Sequence, residues 1–354
     1  MHLAYGAVGR YDLSRDDLAG LLTGEPPYRV DQVWDALHEH GAEPAEITTL
    51  PKILRDRLEA EPAMAPSLRP VTESKADRGG TVKWLWELAD GVRVETVLMH
   101  YASGRSTVCV STQAGCAMAC GFCATGQAGF DRHLSTGEIV EQVIQASRAA
   151  RAAERRVSNV VFMGMGEPLA NYDRVWAAVE RLHADVGLSA RHLTISTVGI
   201  VPGIRRLAEE ALPVNLAVSL HAANDVLRNE LVPINRRYPL ASLAAACRHH
   251  LARKGRRLSF EWALIDGVND RRSDAIELAD FVLPLRAHVN LIPLNPTPGY
   301  RTRGTKPEGI AAFHDHLTHL GVNATVRQTR GTDIDAACGQ LAAREVEVRI
   351  RARR

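Results

Sequence analysis

From residue 105 onward the chain alternates short apolar runs with longer amphipathic runs, and this alternation restricts the fold more than any other feature. Each apolar run is bounded by turn residues, as in strands buried on both faces of a sheet. The amphipathic runs have the spacing of helices, which carry a chain from one parallel strand to the next. The apolar runs are STVCVST, NVVFMGM, HLTISTVG, NLAVSLHA, LSFEWALI and HVNLIPLNP. The pattern predicts an α/β fold built on a parallel sheet.

Six strand–helix units are fewer than the eight of a closed TIM barrel, so we predict a partial (βα)6 TIM-like barrel over residues 105–330. In such folds the chemistry lies at the carboxyl ends of the strands. Distinctive residues follow five of the six predicted strands, at 115–123, Gly164–Pro168, Ser196, Ser219–His221 and Leu294–Pro296. We therefore expect a single site at this end of the barrel.

The rest of the chain predicts smaller units around this barrel. Residues 1–75 contain three amphipathic runs, which predict a small N-terminal helical accessory domain. Prolines at 62, 66 and 70 then indicate a linker. In residues 76–104, two alternating runs around Asp90-Gly91 predict a β-hairpin extension. Residues 331–354 remain as a C-terminal segment that contains Cys338.

The composition is that of an ordinary soluble enzyme, with 45% hydrophobic and 24% charged residues. The formal net charge of +2 does not by itself indicate a polyanionic partner. No run is long enough to span a membrane and the first residues lack a signal-peptide core, so we expect a cytoplasmic protein. Among six cysteines in a reducing compartment, a tight cluster indicates metal binding or catalysis, not a disulfide framework.

The tight cluster is GCAMACGFC, in which Cys116, Cys120 and Cys123 have the spacing Cys-x3-Cys-x2-Cys. A structural zinc site needs four ligands, and the next histidine, His133, is not accompanied by a second ligand pair. Three thiolates with one vacancy fit an iron–sulfur cluster that keeps one iron open for an outside ligand. Zinc remains the alternative at this point.

The spacing of the three cysteines resembles that of the radical S-adenosylmethionine (SAM) superfamily. Two further features fit the resemblance: Phe122 precedes the last cysteine, and the cluster follows the first barrel strand. The resemblance implies a [4Fe-4S] cluster on Cys116, Cys120 and Cys123, with SAM bound to the open iron. It also implies SAM contacts in MGMGEP and at the other strand ends. These contacts are Gly166, Glu167, Ser196, Ser219, Leu220, His221 and Asn295.

Three cysteines lie outside the cluster. Cys247 is on the apolar face of a predicted helix, where it packs as a small hydrophobe. Cys109 is on the first barrel strand, and Cys338 lies in a segment with Gly331 and Gly339 after the last strand–helix unit. From the residues alone, Cys109 and Cys338 are either buried inert thiols or reactive thiols that meet at the mouth of the barrel.

A more specific resemblance rests on six strings that together cover most of the chain. They are STVCVSTQAGCAMACGFCATGQAGF, NVVFMGMGEPL, STVGIVP, SLHAANDVLRNELVPIN, NLIPLNPTPG and TRGTDIDAACGQL. With these strings the chain resembles the RlmN/Cfr family of dual-specificity adenosine methyltransferases. The resemblance begins at YDLSRDDL and includes the N-terminal helical domain. The pairing of the cluster with DIDAACGQL is its most specific part.

The resemblance implies a mechanism that uses two SAM molecules per turnover. One SAM methylates Cys338, and the radical derived from the second takes a hydrogen from that S-methyl group. The resulting carbon radical adds to the RNA base. Cys109 then helps to remove the base proton and resolves the adduct by forming a disulfide with Cys338. Glu95 aligns with a proton acceptor of the family, although a glutamate in a hairpin strand is ordinarily a solvated surface charge.

The thiol route has a chemical reason. Carbons 2 and 8 of adenine are too weakly nucleophilic to attack a sulfonium methyl group, whereas a thiolate attacks it readily. The resemblance favours carbon 2 of adenosine 2503 in 23S rRNA and of adenosine 37 in tRNAs. Methylation of carbon 8 is one alternative, and a non-catalytic RNA-binding protein with a zinc site is another.

The expected partners follow from the same resemblance. Arg236–Tyr238 and residues 253–257 and 349–354 are candidate contacts to RNA phosphates. We expect a single-stranded or unfolded RNA substrate, because the base must leave its stack to reach a buried radical. A flavodoxin- or ferredoxin-type electron donor is implied. We expect a monomer without a membrane partner.

Overall fold

The computed structural model describes residues 9–256, 258–300, 302–337 and 339–342. Within them the chain begins with three helices, α1 (Arg15–Leu21), α2 (Tyr28–His38) and α3 (Lys52–Ala60). The start of α1 is fixed by a capping box, in which Ser14 and Asp17 each accept a hydrogen bond from the other's backbone N–H. No helix in the described part of the chain is long and apolar enough to cross a membrane.

An antiparallel meander follows the helices, with strands β1 (Arg69–Ala76), β2 (Thr81–Glu87) and β3 (Arg93–His100). The sequence analysis predicted a linker and then a two-stranded hairpin here, so β1 corrects that prediction. Pro70 is compatible with β1 because this strand lies at the outer edge of the sheet and its pairing is irregular between Pro70 and Thr72.

The barrel follows as strands separated by helices. In chain order these elements are β4 (Arg105–Cys109), β5 (Gln113–Gly115), α4 (Ala124–Ala128), β6 (Phe130–His133), α5 (Thr136–Ala152), β7 (Arg156–Phe162), α6 (Tyr172–Ala184), β8 (Leu193–Thr197), α7 (Val201–Glu209), β9 (Asn215–Ser219), α8 (Asp225–Leu231), α9 (Leu240–Lys254), β10 (Leu258–Leu264), α10 (Arg272–Val282), β11 (His288–Pro293), α11 (Pro307–His319) and β12 (Asn323–Val326).

One sheet joins the meander to the barrel, in the order β1-β2-β3-β4-β7-β8-β9-β10-β11-β12. Pairing is antiparallel as far as β4 and parallel from β4 to β12. The predicted α/β fold with a mostly parallel sheet is confirmed, and the six predicted strands are β4 and β7 to β11. The sequence analysis missed β12, a four-residue edge strand, and the small β5–β6 hairpin that brackets the cysteine loop.

The N-terminal helices are attached to the barrel by polar contacts. The carboxylate of Asp12 accepts hydrogen bonds from Gly137 N–H at 2.6 Å and from the Ser135 hydroxyl at 2.8 Å. The indole N–H of Trp34 donates to Asp185 at 3.0 Å. The helices thus contact the start of α5 and the residue after α6. The division into an accessory domain, hairpin, barrel and C-terminal segment stays a prediction.

Candidate active site

The three clustered cysteines lie in the loop between β5 and α4. This loop is held by its own backbone, because Cys116 N–H donates to Gly129 O at 2.7 Å and Cys123 N–H donates to Cys120 O at 3.2 Å. At Gly126, an added Cβ would lie 2.8 Å from the carbonyl oxygen of Cys120. A glycine at this position therefore lets α4 pack directly against the cysteine loop.

The surroundings of these thiols disfavour an isolated thiolate. Burial, reinforced by the neighbouring Cys123 thiol, raises the pKa of Cys116 to about 12 and the pKa of Cys120 well above its usual range. Buried thiols ionise together only when a cation compensates their charge, as a bound metal does. The donor set therefore fits a positively charged iron–sulfur core with three protein ligands.

The residues that the structure describes include no group of three or more histidine, cysteine, aspartate or glutamate side chains arranged to hold a single metal ion. A [4Fe-4S] cluster makes a different demand, because each thiolate binds a different iron. Cys116, Cys120 and Cys123 all line one cavity, which is what such a cluster requires.

This cofactor cavity, of about 160 Å³, lies at the carboxyl ends of β7 to β11. Six of the seven predicted SAM contacts line it together with the cysteines: Gly166, Glu167, Ser196, Ser219, His221 and Asn295. Leu220 does not line it. Its side chain is fully buried in the core, and its N–H donates to Glu261 O at 3.0 Å. The structure therefore brings together residues from five strand ends, as expected from their positions in the sequence.

Gly166 and Glu167 form the tightest part of the cavity wall. Gly166 has φ of +100°, and an added Cβ would lie 2.5 Å from the Cβ of Gln113, so only glycine fits. Burial raises the pKa of Glu167 to about 7. Its two carboxylate oxygens accept hydrogen bonds from the backbone of Leu169 at 3.0 Å and of Val198 at 2.8 Å. The carboxylate is thus fixed between two strand ends.

His221 adopts a left-handed backbone conformation, with φ of +61°, at the end of β9. Its Nδ1 accepts a hydrogen bond from Ala263 N–H at 3.0 Å, which places the ring proton on Nε2. Burial lowers the pKa of His221 to about 3, so the ring is neutral at physiological pH. The imidazole therefore presents a neutral N–H, and its ring packs edge-on against Phe122 with centroids 4.8 Å apart.

Arg228 belongs to the site although the sequence analysis did not single it out. Its guanidinium is fully buried and donates to the carbonyl oxygens of Val198 at 2.7 Å and Leu220 at 3.1 Å. It also donates to Asn235 Oδ1 at 2.7 Å. Arg228 thus ties the loops after β8 and β9 together behind the cavity. The only signal in the sequence was an arginine on the short helix directly after SLHA.

A second cavity, of about 680 Å³, adjoins the first and contains Cys109 in its wall. Val97, Met99 and Val161 give this Cys109 cavity an apolar surface, and Tyr101, Arg105 and Arg330 add polar groups. The chain on either side of position 338 also lines it, through Ala337 and Gly339. Cys338 itself lies outside the described residues.

Glu95 differs from its expected state. The sequence analysis named it as a candidate proton acceptor on a strand where a glutamate is ordinarily a solvated charge, and the structure shows it only 6% exposed. One carboxylate oxygen is 2.9 Å from the ammonium of Lys83, and the other accepts a hydrogen bond from Ala342 N–H at 2.9 Å. The burial arises because β2 and β3 are covered by the C-terminal segment. Its predicted role as a proton acceptor stays a prediction.

Among the other predicted residues that the structure describes, Cys247, Arg236 and Arg237 line neither cavity. Cys247 is fully buried in the core on α9, which confirms that it packs as a small hydrophobe. Arg236 and Arg237 are exposed, as contacts to RNA phosphates would require. Of the other two basic segments, residue 257 and all of 349–354 lie outside the described residues.

Comparisons with known proteins identify the family of this chain. The radical SAM superfamily matches residues 110–281. A Frankia casuarinae protein named "probable dual-specificity RNA methyltransferase RlmN" is 54% identical, over 93% of this chain and 80% of its own length. A Myxococcus xanthus protein named dual-specificity RNA methyltransferase RlmN 1 is 50% identical, over 94% of each chain.

A solved structure is similar along almost the whole chain. The crystal structure of a radical SAM methyltransferase from Sphaerobacter thermophilus has a TM-score of 0.91 at 48% identity, covering 95% of this chain and 99% of that one. Both the fold and the sequence therefore match over nearly the full length. The chain belongs to the RlmN family of dual-specificity RNA methyltransferases, within the radical SAM superfamily.

Proposed function

We propose that this enzyme methylates carbon 2 of an adenosine in 23S rRNA and of an adenosine in tRNA anticodon loops. Two SAM molecules would be used per turnover, one to methylate Cys338 and one as the radical source. The names of its relatives, which are RNA methyltransferases of dual specificity, support an RNA substrate. The cysteine pattern supports an S-methylated intermediate.

The observation that carries this proposal is that the cofactor cavity and the Cys109 cavity share a wall. Residues common to both are Cys123, Thr125, Met163, Gly164, Ile292, Asn295, Arg327 and Gly339. One cavity contains three metal-binding thiols, and the other contains a fourth thiol beside room for a base. Groups bound in the two cavities would therefore lie next to each other, as hydrogen transfer from a methyl group to a radical requires.

Cys116, Cys120 and Cys123 would hold the [4Fe-4S] cluster, and the six cavity-lining contacts would surround SAM. When bound and reduced, the cluster supplies the electron that cleaves SAM to a 5′-deoxyadenosyl radical. Glu167 accepts backbone hydrogen bonds from Leu169 and Val198 and a side-chain hydrogen bond from Thr197, which leaves one of its four lone-pair sites for the ammonium group of SAM. The neutral His221 would donate from Nε2 without adding a charge.

The two reactive thiols would be Cys338 and Cys109. Ala337 and Gly339 line the same cavity as Cys109, which supports the pairing of the two cysteines. A disulfide needs Cα atoms about 4.4–6.8 Å apart, so the pairing is geometrically demanding. In this proposal the base adduct would give up one electron, which the iron–sulfur cluster would accept, and lose its proton with the help of Cys109. The Cys109 thiolate would then bond to the Cys338 sulfur as the S–CH2 bond breaks, and the released carbon would take up a proton to become the new methyl group. Glu95 is the candidate proton acceptor.

The Cys109 cavity would receive the adenine base. Its apolar wall suits the faces of a base, and Arg105, Arg330 and Tyr101 offer contacts to phosphate or to the base itself. A base enters such an enclosed site only when it is unstacked, so single-stranded or flipped-out RNA is the expected substrate. A cytoplasmic location, a monomeric state and a flavodoxin- or ferredoxin-type electron donor complete the proposal.

The experiment that tests the proposal combines metal analysis with mass spectrometry. Anaerobically purified protein should contain iron and sulfide in equal amounts, and the peptide around Cys338 should carry an extra methyl group. Cys338→Ala should abolish that methyl group and all RNA methylation. Zinc without iron would instead support a non-catalytic RNA-binding protein and would refute the radical mechanism.

The position of the new methyl group decides between the two carbons. Digested 23S rRNA and tRNA, compared with 2-methyladenosine and 8-methyladenosine standards, would show which carbon is modified. We expect 2-methyladenosine in both RNAs. A product containing only 8-methyladenosine would replace the proposal with the alternative within the family.

A further inference from the structure

A buried ion pair lies on the meander, outside the residues assigned to the cofactor. Lys83 on β2 is 5% exposed, and Glu95 on β3 is 6% exposed. The Lys83 ammonium is 2.9 Å from Glu95 Oε1. Lysine is rarely buried unless its charge is paired and hydrogen-bonded, so this side chain is held in place by specific contacts.

The strand register places this ion pair on the face of the sheet that carries Cys109. Lys83 lies opposite Val97, and Val97 lies opposite Cys109, so the three form one row across β2, β3 and β4. Residues directly opposite one another in a sheet point to the same face. Glu95 is two residues before Val97 on β3 and therefore points to that face as well.

The ion pair holds the C-terminal segment at two points. The Lys83 ammonium donates to the carbonyl oxygen of Asp335 at 3.2 Å, and Ala342 N–H donates to Glu95 Oε2 at 2.9 Å. Asp335 and Ala342 both have left-handed backbones, with φ of +54° and +69°. Such conformations are unfavourable for residues other than glycine and persist only when the surroundings support them.

The cysteine loop holds the same segment from the other side. Ala124 N–H donates to Gly339 O at 2.8 Å, and the Thr125 hydroxyl donates to Leu341 O at 2.9 Å. Ala124 directly follows Cys123, the last of the three clustered cysteines. The segment is thus bonded to the ion pair on one side and to the start of α4 on the other.

We propose that Lys83 is a positioning residue for methyl transfer, acting together with Glu95. The pair fixes residues 335 and 342, between which Cys338 lies in the sequence, to the sheet face that carries Cys109. Lys83 touches neither cofactor nor base, and it acts by holding the chain that carries the methyl group. The inference rests on the proposed function in one respect, namely that Cys338 is the methyl carrier.

The test uses variants that do not leave one charge buried alone. The double variant Lys83→Met/Glu95→Gln removes both charges together, so neither an ammonium nor a carboxylate is left buried without a partner of opposite charge. Lys83→Arg restores a cation that reaches the same acceptors, although with a different head group. The matched control is Lys75→Met, on β1, where the lysine is largely exposed and forms an ion pair with Glu73.

Two measurements on the full-length, iron-loaded protein are needed. Hydrogen exchange should show loss of protection in 331–342 for the double variant, with β2 and β3 unchanged. Methylation of Cys338 by SAM, a step that does not use Glu95 as proton acceptor, should slow about 100-fold in the double variant, the effect of a misplaced reacting group, while iron content stays at the level of the unmodified protein. Lys83→Arg should recover most of the rate, and Lys75→Met should retain all of it.

Two outcomes would overturn the inference. One is a double variant that keeps both the protection of 331–342 and the rate of Cys338 methylation. The other is a loss of protection spread evenly over the meander, which would mean that the pair only stabilises the sheet. If the unmodified protein transfers no methyl group to RNA but 331–342 still loosens in the double variant, the proposed function fails while the positioning by Lys83 stands.

Discussion

The cofactor cavity and the Cys109 cavity lie side by side but are built in different ways. The first is lined by short motifs at the ends of successive parallel strands, each close in sequence to the turn that positions it. The second joins the antiparallel meander to a segment more than two hundred residues later, through Lys83 to Asp335 and Glu95 to Ala342. The residues proposed to hold the cluster and SAM thus lie in local motifs, whereas the proposed pairing of Cys109 with Cys338 would depend on long-range contacts.

The largest effect that separates the two regions is expected from Cys120→Ala. The cluster needs all three thiolates, so this variant should lose its iron and every SAM-dependent activity. Iron and sulfide per chain, with the visible absorption of the cluster, measure the loss. The matched control is Cys247→Ala, a thiol buried on α9 away from the loop. Equal loss of iron in both variants would contradict a cluster held by the loop cysteines.

The next effect belongs to the Cys109 cavity alone. Cys109→Ala should keep the iron and the methyl group on Cys338 but lose turnover, because the RNA adduct has no second thiol to release it. Denaturing gels of the variant with RNA should show a covalent protein–RNA species that the unmodified enzyme does not accumulate. Normal turnover by Cys109→Ala would remove that cysteine from the mechanism.

A smaller effect is expected from Arg228→Met, behind the cofactor cavity. The change removes the donor to Val198 O and to Asn235 Oδ1 and one of two donors to Leu220 O, and should lower the free energy of unfolding by about 3 kcal/mol. Thermal unfolding of the iron-loaded protein measures the change. Arg237→Met, at an exposed arginine, should leave the midpoint within about 1 °C. If both variants unfold alike, Arg228 does not hold the strand ends.

The smallest effect compares two helical glycines. Gly126→Ala places a methyl group 2.8 Å from Cys120 O, so the loop must shift and iron incorporation should fall about two- to tenfold. Gly20→Ala, in α1, meets no atom within 4 Å and should instead stabilise the protein by up to about 1 kcal/mol. Iron content after reconstitution measures the effect of Gly126→Ala, and the midpoint of thermal unfolding measures the effect of Gly20→Ala. Full iron loading in Gly126→Ala would show that the loop tolerates displacement.

The sequence analysis predicted the local motifs of the cofactor cavity better than the long-range contacts around the Cys109 cavity. Alternating apolar and amphipathic runs correctly predicted the parallel strands, and the strand-end motifs correctly predicted a common cavity. The side chain of Leu220 does not line that cavity, because a strand end points successive side chains to opposite faces and this one lies in the core; its predicted contact with SAM stays a prediction. Strand β12 was missed because an exposed four-residue edge strand has little apolar pattern.

The burial of Glu95 was not predictable from its own surroundings in the sequence. The alternation in RVETVLM assigns it to one face of β3 but does not say what covers that face. Its partner Lys83 lies on the neighbouring strand, and Ala342 comes from the end of the described chain. Neither contact has a local signature. The same holds for Arg228, whose acceptors are main-chain carbonyls of two other strand ends.

The sequence by itself determined the three-thiol donor set, because cysteines at 116, 120 and 123 stay close together in almost any fold. It also determined that the strand-end motifs lie close together, because parallel strands present their carboxyl ends at one edge of the sheet. Only the tertiary structure decided that Lys83, Glu95 and Cys109 share one face and that residues 335 and 342 are bonded to it. The physical reason is strand register, since a one-residue shift of any one of these strands would turn its side chain away from the shared face.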